Sequence, residues 1–131
     1  MILNSTNPLI LAYVGDSVFN LLTRKKAILL KERLDSIDKR VTSLVRASAQ
    51  ARALSQIREF LNEEELDVVR RGRNAHSKHM HPKSASAMEY KAATALEALF
   101  GFLYLSGKEE RANELFELIF EKWEEACQEQ A

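Results

Sequence analysis

Two apolar helical stretches of this sequence each carry a single acidic residue, and few folds can accommodate that. Asp16 lies in Leu9-Ile-Leu-Ala-Tyr-Val-Gly-Asp-Ser-Val-Phe19, and Glu97 lies in Ala92-Ala-Thr-Ala-Leu-Glu-Ala-Leu-Phe-Gly-Phe-Leu-Tyr-Leu105. A carboxylate buried without a partner is strongly destabilising. Two acids expected to be buried in one small core therefore imply a hydrogen-bonded network, an ion pair or a shared cation. A metal site is the reading that carries chemistry.

The length of 131 residues suits one domain with a real core, spanning 1–131. With only four glycines and two prolines, and with alanine, leucine, glutamate, lysine and arginine dominant, the fold class expected is all-α. The longest apolar run, Ala95 to Leu105, is interrupted by Glu97 and falls short of the roughly 20 residues of a membrane span. The start, Met1-Ile-Leu-Asn-Ser-Thr, lacks the features of a signal peptide. A single cysteine, Cys127, allows no internal disulfide and reads as a passive thiol, so a reducing cytoplasm is the default location.

Formal net charge is zero, but the charges are segregated. From Leu22 to Arg58 there are ten Lys or Arg against three acids, and from Arg70 to Lys91 six against Glu89 alone. From Lys108 to Ala131 eight glutamates face Lys108, Arg111 and Lys122. A polyanion would be drawn to the middle of the chain and repelled by its end. Solvated helix faces with i,i+4 pairing explain the same blocks without a ligand.

Helical signals place these features. Asn7 before Pro8 reads as an N-cap opening a helix that runs through Asp16 to about Lys31. Gly15 allows a close backbone approach beside Asp16. Ser36 is expected to cap a second helix through Val41 and Leu44, and Ser48 to start a turn leading to Leu54 and Ile57. Asn62-Glu-Glu-Glu65 fits a capping box for a helix that Gly72 is expected to end. A basic loop, Arg70 to Ser86, then leads into the helix bearing Glu97. Its Arg70, Arg71, Arg73, Asn74, Lys78 and Lys83 suit phosphate and sugar contacts. With few aromatics nearby for base stacking, duplex backbone fits better than single strands. His76, His79 and His81 in that loop have no cysteine or acid beside them to complete a zinc site, and contacts to RNA or no role are the readings left for them.

These residues carry a resemblance. Leu11-Ala-Tyr-Val-Gly-Asp-Ser-Val18 resembles the signature helix of ribonuclease III, and Ala95-Leu-Glu-Ala-Leu-Phe-Gly-Phe-Leu-Tyr-Leu-Ser-Gly107 resembles that family's second signature. Arg70-Arg-Gly-Arg-Asn-Ala75 is similar to the small bacterial branch called Mini-ribonuclease III, which has the catalytic domain without the double-stranded-RNA-binding domain. The resemblance runs from about Asn7 to Trp123. It implies a homodimeric helical bundle of about six to seven helices. It also implies a Mg²⁺-dependent endoribonuclease, with Mn²⁺ able to substitute, that hydrolyses double-stranded RNA. The substrate implied is precursor ribosomal RNA of the large subunit. Asp16 and Glu97 would be the catalytic metal ligands. Two further acids of full-length ribonuclease III are replaced by Ala12 and Thr94, as in the smaller branch.

Around that pair, Thr94 is a candidate hydrogen-bond partner for a water of the ion, and a helix-packing role explains it as well. Lys91 is a candidate phosphate contact. Tyr13 matches an aromatic position that packs across the family's dimer interface, and Phe19 is expected there too, although core packing explains both. Two other classes stay open: a catalytically silent relative that binds structured RNA or the ribosome, and a helical protein-interaction module.

Overall fold

The computed structural model describes residues 6–75 and 86–129, with side chains to 127. Six α-helices follow in order: α1 Pro8–Ala27, α2 Leu34–Val45, α3 Ala47–Ile57, α4 Glu63–Asn74, α5 Ala87–Leu105 and α6 Glu109–Glu129. Single 3₁₀ turns follow α1 at Ile28–Leu30 and α3 at Arg58–Phe60. There is no strand among the described residues.

α5 forms the centre of the bundle. Its residues from Ala92 to Leu103 are buried on every face except at Glu97, so its sequence is apolar all round rather than striped. α1, α3 and α4 pack directly on it, and α6 closes the far side. The aromatic core joins three helices. Phe19 of α1 meets Phe100 of α5 edge-on at 5.4 Å and Phe116 of α6 at 5.5 Å between ring centroids, a favourable arrangement for aromatic quadrupoles.

Local chemistry accounts for several helix starts. The Asn7 side chain accepts from the Leu9 amide at 2.8 Å, with Pro8 opening the helix. The Asn62 and Glu65 capping box is formed in both directions, and Ser86 with Glu89 makes a second one at α5. Gly107, at φ +76, supplies the left-handed residue after α5, and the Lys108 amide then bonds back to the Leu103 carbonyl at 2.8 Å.

Four expectations are corrected. α1 ends at Ala27, and after the 3₁₀ turn Lys31 adopts a left-handed φ of 57° instead of continuing the helix. Ser36 is not a cap, and the turn expected to start at Ser48 starts one residue earlier. α2 and α3 begin after Arg33 and Arg46, extended residues without a capping side chain, which leaves each serine inside a first turn. Gly72 does not end α4, which continues to Asn74. An added Cβ there would lie 2.9 Å from the Ala95 Cα, so this glycine lets α4 lie against α5. The segment expected to be a loop from Arg70 is therefore helical through Asn74.

A buried ion pair ties α6 to α4. Arg111 donates to both carboxylate oxygens of Glu65, at 2.8 and 2.9 Å, and to the Phe60 carbonyl at 2.7 Å. Burial opposes the charge on Glu65, but the Arg111 hydrogen bonds and the Asn62 amide outweigh it and hold its pKa below the usual value.

Candidate metal centre and nucleic-acid face

Glycine determines where the two acids meet. A Cβ on Gly15 would stand 1.6 Å from the Glu97 carbonyl oxygen, and one on Gly101 would stand 1.9 Å from the Leu11 carbonyl oxygen. Leu11 opposes Gly101 and Gly15 opposes Glu97, so α1 and α5 cross antiparallel with their backbones in contact. Any larger residue at the crossing would hold the helices apart. This contact sets Asp16, the neighbour of Gly15, beside Glu97.

The acids differ in environment. Glu97 is partly buried, whereas Asp16 is exposed at the rim, which corrects the expectation that both are buried. Asp16 lies on the solvent side of α1 between Tyr13 and Asn20. The Asn20 amide donates to the Asp16 carboxylate at 3.2 Å and to its backbone carbonyl at 3.0 Å. Burial first, then a hydrogen bond to Asp16 and the Asp16 charge, push the pKa of Glu97 from 4.5 up to about 8. Asp16 thus acts directly on Glu97, and near neutrality Glu97 retains a proton.

Gln50 approaches from α3. It is 2% exposed and favours the ionised form of Glu97, yet its Nε2 makes no hydrogen bond. Sequence reasoning missed both amides. Asn20 could have been found four residues after Asp16 on one helix face. Gln50 shows as a polar residue in a position of α3 that the helical period makes apolar.

The donor set fits a hard cation. A partly buried carboxyl that retains its proton beside a second carboxyl, for want of positive charge, is chemistry that a divalent ion replaces. No group of three or more His, Cys, Asp or Glu able to hold a metal occurs among the described residues. Magnesium keeps several waters and commonly binds through one or two carboxylates, so a pair is sufficient. Thr94 is nearly buried, and its hydroxyl donates to the Tyr90 carbonyl at 3.0 Å. Toward a water it can act only as an acceptor.

The basic residues flank the pair. Arg70, Arg71 and Asn74 line an open cleft of about 370 Å³ with Asn7, Pro8 and Leu9 at the start of α1. Arg71 donates to the Thr6 carbonyl at 2.9 Å, Arg70 pairs with Asp67, and Arg73 is exposed. Lys91 is exposed six residues before Glu97, on the side of the crossing toward the C-terminal half of α1. The structure therefore sets these groups on opposite sides of the acids. Lys78, Lys83, His76, His79 and His81 lie outside the described residues.

The two aromatic residues expected at an interface separate. Tyr13 is 82% exposed, near the exposed Ile10. Phe19 is 0% exposed and enclosed by Phe100 and Phe116 of its own chain, so it is a core residue and offers nothing to a second copy.

The family described as Ribonuclease III domain matches residues 9–108. The chain is similar to Mini-ribonuclease 3 of Thermoanaerobacter sp. (strain X514), at 41% identity over 122 residues, covering 92% of this chain and 85% of that one. It is 45% identical over 120 residues to Mini-ribonuclease 3 of Brevibacillus brevis, covering 89% and 87% of the two chains. The crystal structure of a protein from Fusobacterium nucleatum matches with a TM-score of 0.82 at 32% identity, over 89% of this chain and 95% of that one.

Proposed function

The chain belongs to the ribonuclease III family, and we propose that it holds a magnesium ion between Asp16 and Glu97 to cut double-stranded RNA. It is an endoribonuclease, a hydrolase of phosphodiester bonds. The observation that carries the ligand assignment is the glycine crossing of α1 and α5. The Gly15 crossing brings the two carboxyls together, and Glu97 keeps a proton up to about pH 8 in the absence of a neighbouring cation.

Bound there, magnesium supplies the positive charge that polarises the scissile phosphate and acidifies the attacking water. Manganese fits the same oxygen donors. Asp16 offers its carboxylate from the rim, oriented by Asn20, and Glu97 offers the second from its partly buried place on α5. Both stand on helices pressed together at the backbone, so little reorganisation is left for the moment of reaction. No side chain serves as nucleophile.

Arg70, Arg71, Arg73, Asn74 and Lys91, with Lys78 and Lys83 of the adjoining segment, contact the phosphate backbone. Duplex RNA presents a wide, shallow minor groove lined with 2′-hydroxyls, so selection rests on shape more than on base sequence. Binding weakens steeply with salt as counterions are released. The substrate is a stem of precursor ribosomal RNA, of the large subunit, in the cytoplasm. Two copies pair through the exposed Ile10 and Tyr13 face of α1, placing one acid pair against each strand. No described helix is long and apolar enough to cross a membrane.

The test is cleavage of a labelled RNA duplex with and without Mg²⁺ by wild type, Asp16→Asn and Glu97→Gln, each checked for folding. Cutting that needs Mg²⁺ and falls about a thousandfold in both variants, with duplex binding retained, is expected from the loss of several kcal/mol of charge stabilisation. Duplex binding without cutting, in Mg²⁺ or Mn²⁺, would replace this reading with a silent RNA-binding relative.

A further inference from the structure

Among the described residues, Gln50 Nε2 is the buried side-chain donor that goes unused. The other buried polar side chains are satisfied: Thr23 donates to Phe19, Thr94 donates to Tyr90, and Glu65 is held by Arg111. Gln50 occupies an apolar position of α3, followed on the same face by Ala53, Leu54 and Ile57. Methionine or leucine would fill that place without orphaning a donor, and a native chain that keeps such a group calls for an explanation.

The surroundings supply one. α3 packs on α5, and Gln50 comes near enough to the Glu97 carboxyl to act on its ionisation while its Nε2 makes no hydrogen bond. The geometry points to Gln50 as a positioning residue of the metal centre: once a divalent cation lies between Asp16 and Glu97, Nε2 donates to the Glu97 carboxylate and fixes its orientation. This inference rests on the metal site proposed above. A ligating carboxylate steadied by an outer hydrogen bond binds its ion more tightly, and loss of such a partner commonly weakens binding about 10- to 100-fold.

A purely structural glutamine and a positioning glutamine predict opposite results. Mn²⁺ binding to the full chain is measured by electron paramagnetic resonance for wild type, Asp16→Asn and Gln50→Met, alongside thermal unfolding in chelator. Gln50→Met is expected to weaken Mn²⁺ binding about tenfold or more, with a thermal midpoint equal to or above that of wild type. Mn²⁺ affinity within about twofold of wild type, far from the loss expected for a ligand's outer partner, would overturn the role. A second measurement needs no change at position 50. The Gln50 side-chain amide resonances should shift as Mg²⁺ is titrated into wild type and stay in place in Asp16→Asn, and binding of Mg²⁺ without that shift would also overturn it. Failure of the underlying site looks different: wild type then binds no Mn²⁺, or Asp16→Asn binds it equally well, and the Gln50 role falls with it.

Discussion

The Glu97 carbonyl oxygen lies 1.6 Å from where a Cβ of residue 15 would be, so Gly15 and Glu97 are joined backbone to backbone. One helix contact therefore supports the fold and spaces the acids. In an ordinary helix, alanine is favoured over glycine by about 0.5–1 kcal/mol. Here that gain is overridden, because the neighbouring atom is main chain and cannot rotate away. Gly15→Ala should lower the thermal midpoint by about 5 °C or more, given the usual 1–3 kcal/mol cost of overpacking. It should also weaken Mg²⁺-dependent cleavage. Unfolding followed by circular dichroism decides this, and a midpoint equal to wild type would mean the helices part freely.

Glu97 gives the metal-free protein a pH dependence of defined sign. Its pKa is 4.5 when unfolded and about 8 when folded, because burial and then Asp16 favour the protonated form. Between those values the folded state binds the extra proton, so the stability it contributes is complete below about 4.5 and is lost as pH rises through about 8. In chelator, the thermal midpoint should fall from pH 5.5 to pH 8.5, and Glu97→Gln should flatten the fall. Added Mg²⁺ at the higher pH should raise the wild-type midpoint, since a ligand bound only by the folded state stabilises it. An equal slope in wild type and Glu97→Gln would assign the effect elsewhere.

Arg111→Met tests the tie between α4 and α6. Glu65 is 2% exposed, and the change strips its charge partner while leaving the carboxylate buried. Removing one member of a buried pair commonly costs about 3 kcal/mol or more. Urea unfolding should show a loss of that order. Arg111→Met combined with Glu65→Leu should recover part of it, and a single variant as stable as wild type would show the pair to be dispensable.

Tyr13→Asp places a charge on the exposed α1 face without touching the core. Sedimentation should give a dimer for wild type and a monomer for the variant, with circular dichroism unchanged. Coordinated cutting of both strands should be lost with the dimer. A dimeric, fully active variant would move the interface elsewhere.

Helix existence and the Asn7 and Asn62 caps could be read from the sequence, because each depends on a local signal. That Asp16 stands near Glu97 followed from the resemblance, whereas the burial expected of Asp16 is not found. The features that escaped depend on contacts between distant segments. Gly72 looks like a stop signal until Ala95 is seen lying against it. Ser36 and Ser48 have capping chemistry, but α2 and α3 start earlier, after Arg33 and Arg46, with no capping side chain to mark the place. Phe19 and Tyr13 are both large aromatics of α1, and only the positions of Phe100 and Phe116 separate a core ring from a surface one. Gln50 gives no signal beyond its polarity, since its meaning depends on a carboxyl 47 positions away in the chain.

The glycine crossing also bears on how this protein can vary. At positions 15 and 101 the opposing atoms are main-chain carbonyls, which every amino acid possesses, so no second change in the facing helix can make room for a side chain. Saturation libraries selected for wild-type thermal stability should therefore return one residue type at each of these two places. Across the exposed faces of α2 and α6 the same selection should return many.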